Sequence, residues 1–231
     1  MTERPLINVL VRTSGRPNYY ARCIQSILDQ TYDNFRIIVS ADDPETERYV
    51  RDTKFLRGGQ AYSPECFPVR RKEMDDGDEV TLRQYPQLYY APHNLYLNRM
   101  KDTVNDGWLM FLDDDDMMAG KDAMQKIADR AYSENAVIFW RVGFSTGVIP
   151  SDAQWKHAPG TVAMSGIGFA YHSAHRCLTW DQFSTSDRRI MHAAWSILET
   201  HVWINEVLTA VQRSDDFGRG RRDDAPVAST G

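Results

Sequence analysis

Cysteine is scarce in this chain: of 231 residues only Cys23, Cys66 and Cys177 are cysteines, far apart and without a C-x-x-C spacing. That excludes a disulfide framework or a zinc ribbon and points to a reducing compartment. Long hydrophobic runs are missing too. No uncharged apolar stretch approaches the ~20 residues that cross a bilayer. Met1–Pro5 leads into only a short apolar run, without a signal-peptide core. A soluble, cytoplasmic protein is expected. Positive charge is not in excess: 27 Lys and Arg stand against 32 Asp and Glu, a formal net charge of −5. Binding nucleic acid by bulk charge is disfavoured, because neutralising phosphates needs clustered Lys and Arg. Only Arg70-Arg71-Lys72 and Arg219 to Arg222 hint at a basic groove.

What is present suits one large globular domain, with 42% hydrophobic and 26% charged residues. Ile7 to Val11 is a short apolar run that predicts a buried strand. Thr13-Ser14-Gly15-Arg16-Pro17 breaks it, and Pro17 suits a first helical turn. Tyr20, Ile24, Ile27 and Leu28 then fall on one helical face. Phe35 to Ser40 predicts the second strand, ended by Asp42-Asp43-Pro44. Strand, helix, strand at this spacing is a βαβ unit with a parallel sheet, so the fold class is α/β. From 45 to 86 the pattern predicts a helix fragment, then a long loop or hairpin. The segment 58–83 is a candidate lid or groove extension. Further expectations are a strand at 88–90, a helix at 94–105 and a strand at 108–112. A helix carrying Met124 and Ile127, a strand at 136–144 and a Gly-interrupted strand ending at Tyr171 come next. The last are a helix carrying Ile190 to Leu198 and a final element at 202–211.

The most informative run is Phe111-Leu112-Asp113-Asp114-Asp115-Asp116. An apolar strand there emits four carboxylates at its C-terminal end, where ligands sit in open α/β sheets. Carboxylates forced together repel one another unless a cation joins them. Hard cations take oxygen ligands, and Mg2+ commonly takes one or two carboxylates plus substrate phosphates. A metal–diphosphate site and a solvated acidic turn are the two readings of the run alone.

Four segments together resemble a family 2 glycosyltransferase of the GT-A fold. They are Val9 to Tyr32, then Ile37 to Asp43, then Gly107 to Asp116, and Ser186-Asp187 with Ile204 to Leu208 downstream. The resemblance departs from the family pattern at Pro44-Glu45-Thr46, at Asn98-Arg99 and at Ser186, where a first acid is usual. It implies a Rossmann-like, mostly parallel central sheet flanked by helices, with a smaller C-terminal acceptor region. A single domain is expected over 1–213, with a nucleotide half (1–120), an acceptor half (121–213) and a flexible tail (214–231). The activity implied is metal-dependent, inverting transfer of a sugar from a nucleoside-diphosphate sugar, UDP first, to a hydroxyl of a glycan or small glycoside.

The resemblance also distributes roles. Asp113 and Asp115 would hold Mn2+ or Mg2+. Thr13, Arg16, Asp42, Asp43, Arg99, Asp113 and Asp114 would contact the nucleotide. Asp187 would be the general base, with Asp181 in reserve, and Trp180 and Asp181 would face the acceptor. Each role competes with an ordinary one. Asp43 and Asp187 are preferred residue types for capping a helix, Arg16 for a surface charge, and Trp180 for a core. Of the histidines, only His172 is a weak candidate for the metal sphere. Rival functions are a sugar nucleotidyltransferase, disfavoured because the loop after the first strand holds a single glycine, Gly15; a transferase acting on a nucleic-acid base; and an inactive sugar-nucleotide-binding module.

Overall fold

The computed structural model describes residues 4–69, 90–155 and 166–212. It opens with β1 (Ile7–Thr13), buried from Ile7 to Val11. Such a run is stable because helices cover both faces of a parallel sheet. α1 (Pro17–Leu28) begins at Pro17, and its buried residues Tyr20, Cys23, Ile24, Ile27 and Leu28 form one stripe. β2 (Phe35–Ala41) runs parallel to β1 with Val9 beside Ile37, completing the expected βαβ unit. α2 (Pro44–Asp52) follows, then β3 (Phe55–Arg57), β4 (Gln60–Tyr62) and β5 (Glu65–Pro68). β3 and β4 form a hairpin. β5 extends the main sheet beside β2; four residues are too few to show a period in sequence. Residues 70–83 of the candidate lid, Arg70-Arg71-Lys72 and the tail from 214 lie outside the described residues.

The strand expected at 88–90 also falls mostly outside them, and Tyr90 makes a single bridge to Phe183. A 3-10 turn at 92–94 leads into α3 (Leu95–Lys101). α3 is shorter than the expected 94–105. Thr103 and Val104 donate to Met100 and Lys101, the i→i+3 bonds that close a helix end. β6 (Trp108–Asp113) then enters beside β1. Gly107, at φ +85°, makes this entry possible: a Cβ there would sit 2.6 Å from the Leu6 carbonyl oxygen.

β7 (Asp116–Met118), α4 (Ala123–Ala128), β8 (Ala136–Phe144), β9 (Gly147–Ile149), α5 (Asp152–Trp155), β10 (Gly168–His172), α6 (Ser186–Ile197) and β11 (Thr200–Val211) complete the order. The sheet runs β5-β2-β1-β6-β10-β8-β11-β7, with β9 on β8. From β5 to β6 it is parallel. Beyond β6 it is mixed, since β10 is antiparallel to both neighbours and β7 is antiparallel to β11. β7 starts three residues after β6 ends yet is last in the strand order. The sheet therefore curls until its far edge stands beside the C-terminal end of β6.

Alternate residues of the strands feed two cores. Ile7, Val9 and Val11 pack with α1 and α4 on one face. Leu10 and Leu109 pack with α3 and α6 on the other. Each fully buried aliphatic side chain contributes about 1.5–3 kcal/mol. Among the described residues no helix is long and apolar enough to cross a membrane, and Cys23, Cys66 and Cys177 are all free thiols.

β10 packs closely on Trp140 of β8. Trp140 is fully buried, and its Nε1 donates to Thr209 Oγ1 at 3.0 Å. A Cβ on Gly168 would fall 1.9 Å from that Nε1, so an added methyl must displace an indole that has nowhere to go. Gly168→Ala is expected to lower the unfolding free energy by about 3 kcal/mol, the upper end for overpacking. Urea denaturation followed by tryptophan emission measures this. A change under about 0.5 kcal/mol, as for an ordinary surface substitution, contradicts the packing described.

Candidate active site

The acidic run is the turn from β6 to β7, held at the C-terminal edge of the parallel half of the sheet. Two of its carboxylates are buried and two, Asp113 and Asp116, are half-buried. Asp114 is fully buried and Asp115 is 4% exposed. Burial of charge at this density demands counter-charge, and β1 with the loop after it supplies two arginines. Arg12 pairs through Nε and Nη2 with both oxygens of Asp113, the second contact at 2.7 Å. Arg16 pairs with Asp114 and reaches Asp115 Oδ2 at 2.7 Å. Thr13 Oγ1 donates to Asp114 Oδ2 at 2.7 Å and lies 2.6 Å from the Tyr49 hydroxyl, from which it accepts. From the end of β11, the Gln212 backbone N–H donates to the Asp115 carbonyl at 2.6 Å. The Gln212 side-chain amide donates to the Asp114 and Asp116 carbonyls.

Four carboxylates against two guanidiniums leave an excess of two negative charges if all ionise. The protonation of the cluster follows. Burial opposes charge on Asp113, but Arg12 outweighs it and holds that carboxyl below the usual range. Burial pushes Asp114 up to about 7, although Arg16 and Thr13 pull the other way. Burial and the neighbouring carboxylates raise Asp115 and carry Asp116 well above its ordinary value. Burial, with repulsion among the acids, thus favours the protonated forms of Asp114, Asp115 and Asp116. A divalent cation suits such an all-oxygen donor set. Among the described residues, no preformed cluster of three or more metal-ligating side chains is present.

The other expected residues sort into those at this edge and those elsewhere. Asp42 follows β2 beside the loop; Ser14 Oγ donates to its Oδ2 at 2.7 Å, and its Oδ1 is buried without a hydrogen-bond partner. Asp43 caps α2, accepting from the Glu45 and Thr46 N–H groups at 2.8 and 2.9 Å. Its carboxylate is therefore engaged by the backbone, the capping role that its residue type favours. Arg99 is exposed on α3. Its neighbour Asn98 bonds instead to the Trp180 backbone, and the arginines at the acids are Arg12 and Arg16.

Trp180 is only 6% exposed and packs on Phe111 and Phe169, with ring centroids 5.5 and 6.0 Å away. Its ring belongs to the core and is no open platform for an acceptor. Asp181 is clamped by Arg189 Nη2 at 2.6 Å and accepts from the Phe183 N–H at 2.9 Å. His172 pairs with Trp108, at the opposite end of β6 from Asp113. Five residues at ~3.3 Å each separate it from the acids, too far to join a metal sphere there.

Asp187 sits in the first turn of α6, half-buried. The N-cap position is Thr185, not Asp187, and the Asp187 carboxylate accepts from the Gly166 N–H at 2.9 Å. It lies close enough to Arg12 to favour that guanidinium's charged form, an influence exceeded by burial and by Asp113. Arg12, Asn94, Tyr49 and Gln212 were not singled out from sequence. Arg12 alone left a signal, an arginine directly after the largely apolar run Ile7 to Val11.

No family model matches the sequence, and no curated protein matches it. Solved structures match in fold. S. aureus TarS 1–349 superposes with a TM-score of 0.60 at 15% identity, over 89% of this chain and 60% of that one. The same protein in complex with UDP-GlcNAc gives 0.61 at 15% identity, over 96% and 61%. The mannosyltransferase PcManGT from Pyrobaculum calidifontis, in complex with GDP-Man and Mn2+, gives 0.60 at 12% identity, over 90% and 57%. The chain spans about three fifths of the length of these proteins. At such identities the likeness shows the fold: α/β, with a large curled mixed sheet flanked by helices.

The acid cluster makes stability depend on pH in a defined direction. Asp114 has a folded value near 7, above its ordinary 3.8, so folding takes up a proton between those values. The resulting stabilisation is complete below 3.8 and is lost as pH rises through 7. In chelator, the melting temperature is expected to rise as pH falls from about 8 to about 6. Asp114→Asn, which needs no proton, flattens that slope. A wild-type protein whose stability falls over that interval contradicts the assignment.

Proposed function

We propose that this chain is a metal-dependent, inverting glycosyltransferase that moves a sugar from a nucleoside-diphosphate donor, UDP first, to a hydroxyl of a glycan or small glycoside. One observation carries the reading. Buried carboxylates and arginines converge at the C-terminal edge of the parallel strands, in a fold shared with a mannosyltransferase holding GDP-Man and Mn2+ and with TarS holding UDP-GlcNAc. The nucleotide half would be 1–120 and the acceptor half 121–213, within one domain.

The roles follow from position. Asp42, at the end of β2, would hold the base, its carboxylate accepting from a base N–H. Thr13 and Arg16 fix Asp114 and Asp115 from the loop after β1. A divalent cation, Mn2+ or Mg2+, held by Asp113 and Asp115, would stabilise the departing diphosphate as a Lewis acid. Asp187 takes the proton from the acceptor hydroxyl as that oxygen attacks the anomeric carbon. It stands in the first turn of a 12-residue helix. A single base opposite the leaving group gives in-line displacement, and the transition state carries oxocarbenium character as at other glycosyl centres.

Calorimetry tests the donor site. UDP is expected to bind in Mn2+ and to lose most of its affinity in chelator, and Asp115→Asn weakens the metal-dependent binding more than Asp114→Asn does. Equal affinity with and without metal contradicts the metal role.

The base is tested separately. Asparagine at 187 still accepts from the Gly166 N–H, so Asp187→Asn leaves the melting temperature and UDP affinity close to wild type. Turnover falls by about two orders of magnitude or more, as for a lost general base. Near-normal turnover in this variant removes Asp187 from the chemistry.

A further inference from the structure

The acids and the proposed base lie on segments far apart in sequence, and one buried side chain joins them. Asn94, 6% exposed, accepts from Arg12 Nη1 at 2.8 Å through Oδ1. Through Nδ2 it donates to the Phe183 carbonyl at 2.8 Å. Arg12 is the arginine paired with Asp113. The Phe183 carbonyl also accepts from Arg189 Nη2 at 3.3 Å, and Arg189 grips Asp181. Asp181 is tied in turn to Ser186, whose Oγ accepts from the Asp181 N–H at 2.8 Å. Ser186 immediately precedes Asp187.

We infer that Asn94 is a positioning residue, resting on the function proposed above. It holds the Phe183–Asp187 segment in fixed register with the Arg12–Asp113 pair, and so sets where the base stands relative to the leaving group. An amide spans both partners at once. Its oxygen accepts from the guanidinium while its nitrogen donates to the carbonyl. A carboxylate at 94 satisfies Arg12 but repels the Phe183 oxygen, and an aliphatic side chain satisfies neither. Asn98 supplies an internal comparison. Its amide also clamps the neighbouring backbone, donating to the Trp180 carbonyl and accepting from the Trp180 N–H, both at 2.8 Å. Asn98 stabilises the neighbouring stretch of chain from α3, the helix that Asn94 precedes, and its amide bonds lead to Trp180 and not to Arg12.

The experiment compares Asn94→Asp with Asn98→Ala in the full chain, with Asn94→Ala as the substitute for Asn94→Asp where the latter does not fold. UDP affinity in Mn2+ is read by calorimetry. Turnover is read as release of nucleoside diphosphate from UDP-GlcNAc or GDP-mannose, the donors carried by the fold neighbours. The Asn94 variant is expected to keep its UDP affinity and donor KM within about threefold. Its kcat falls ~10- to 100-fold, the scale of an ångström of misplacement at a reacting centre. Asn98→Ala loses melting temperature while its kcat stays within about threefold. An unchanged kcat in the Asn94 variant, or an equal fall of kcat in Asn98→Ala, overturns the positioning role and leaves both amides as parts of the fold. A wild-type protein that neither binds UDP nor releases a nucleoside diphosphate overturns the proposed function itself, a result separate from any difference between the variants.

Discussion

Repulsion among four carboxylates at the end of one buried strand is the constraint on which the rest of this structure depends. Asp113 to Asp116 cannot remain there ionised without positive charge. The parallel pairing of β1 with β6 places Arg12 beside Asp113 in register. The Ser14-Gly15 turn then returns the chain so that Arg16 lies over Asp114 and Asp115. Arg16 stands at the N-cap position of α1 without capping it; a guanidinium has no acceptor for the free N–H groups, and its donors go to the acids. The arginines compensate only part of the charge, and burial together with the neighbouring acids raises Asp114 and Asp116 above their ordinary values. Incomplete compensation fits a place built for a cation and a diphosphate better than one built for stability alone. Removing one partner of a buried ion pair typically costs about 3–5 kcal/mol, so the cluster proposed as the donor site is also a structural weak point.

What was legible in the sequence was local. The stripe Tyr20, Ile24, Ile27, Leu28, the proline at 17 and the apolar run ahead of the acids each encode their structure within a few residues. The fold class followed from them, and the mixed second half of the sheet did not. β5 and β7 are three or four residues long, below the length at which alternation can be seen, and they are strands because a sheet edge recruits them.

The site divides in the same way. Asp43 carried two readings, and the backbone bonds of α2 make it a cap. Trp180 looked like a stacking platform because sequence shows an aromatic residue but not the Phe111 and Phe169 rings that cover it. Arg12 and Asp113 are separated by 101 residues, and their pairing depends on strand register, which no local pattern encodes. The same holds for Asn94, whose two partners come from the first strand and from the segment before the last helix. Burial, register and long-range pairing decide these roles, and each is a property of the fold.

The central claim is that these residues form a centre for sugar transfer with a single base opposite the leaving group. Proton NMR of the protein with Mn2+ and an α-linked donor such as UDP-GlcNAc, with water as acceptor, tests it most directly. Attack at the anomeric carbon with inversion predicts release of UDP together with the β-anomer as the first sugar formed, before mutarotation. The α-anomer as first product contradicts the single-base displacement. Release of UMP and a sugar phosphate, from attack at phosphorus, contradicts the assignment to glycosyl transfer altogether.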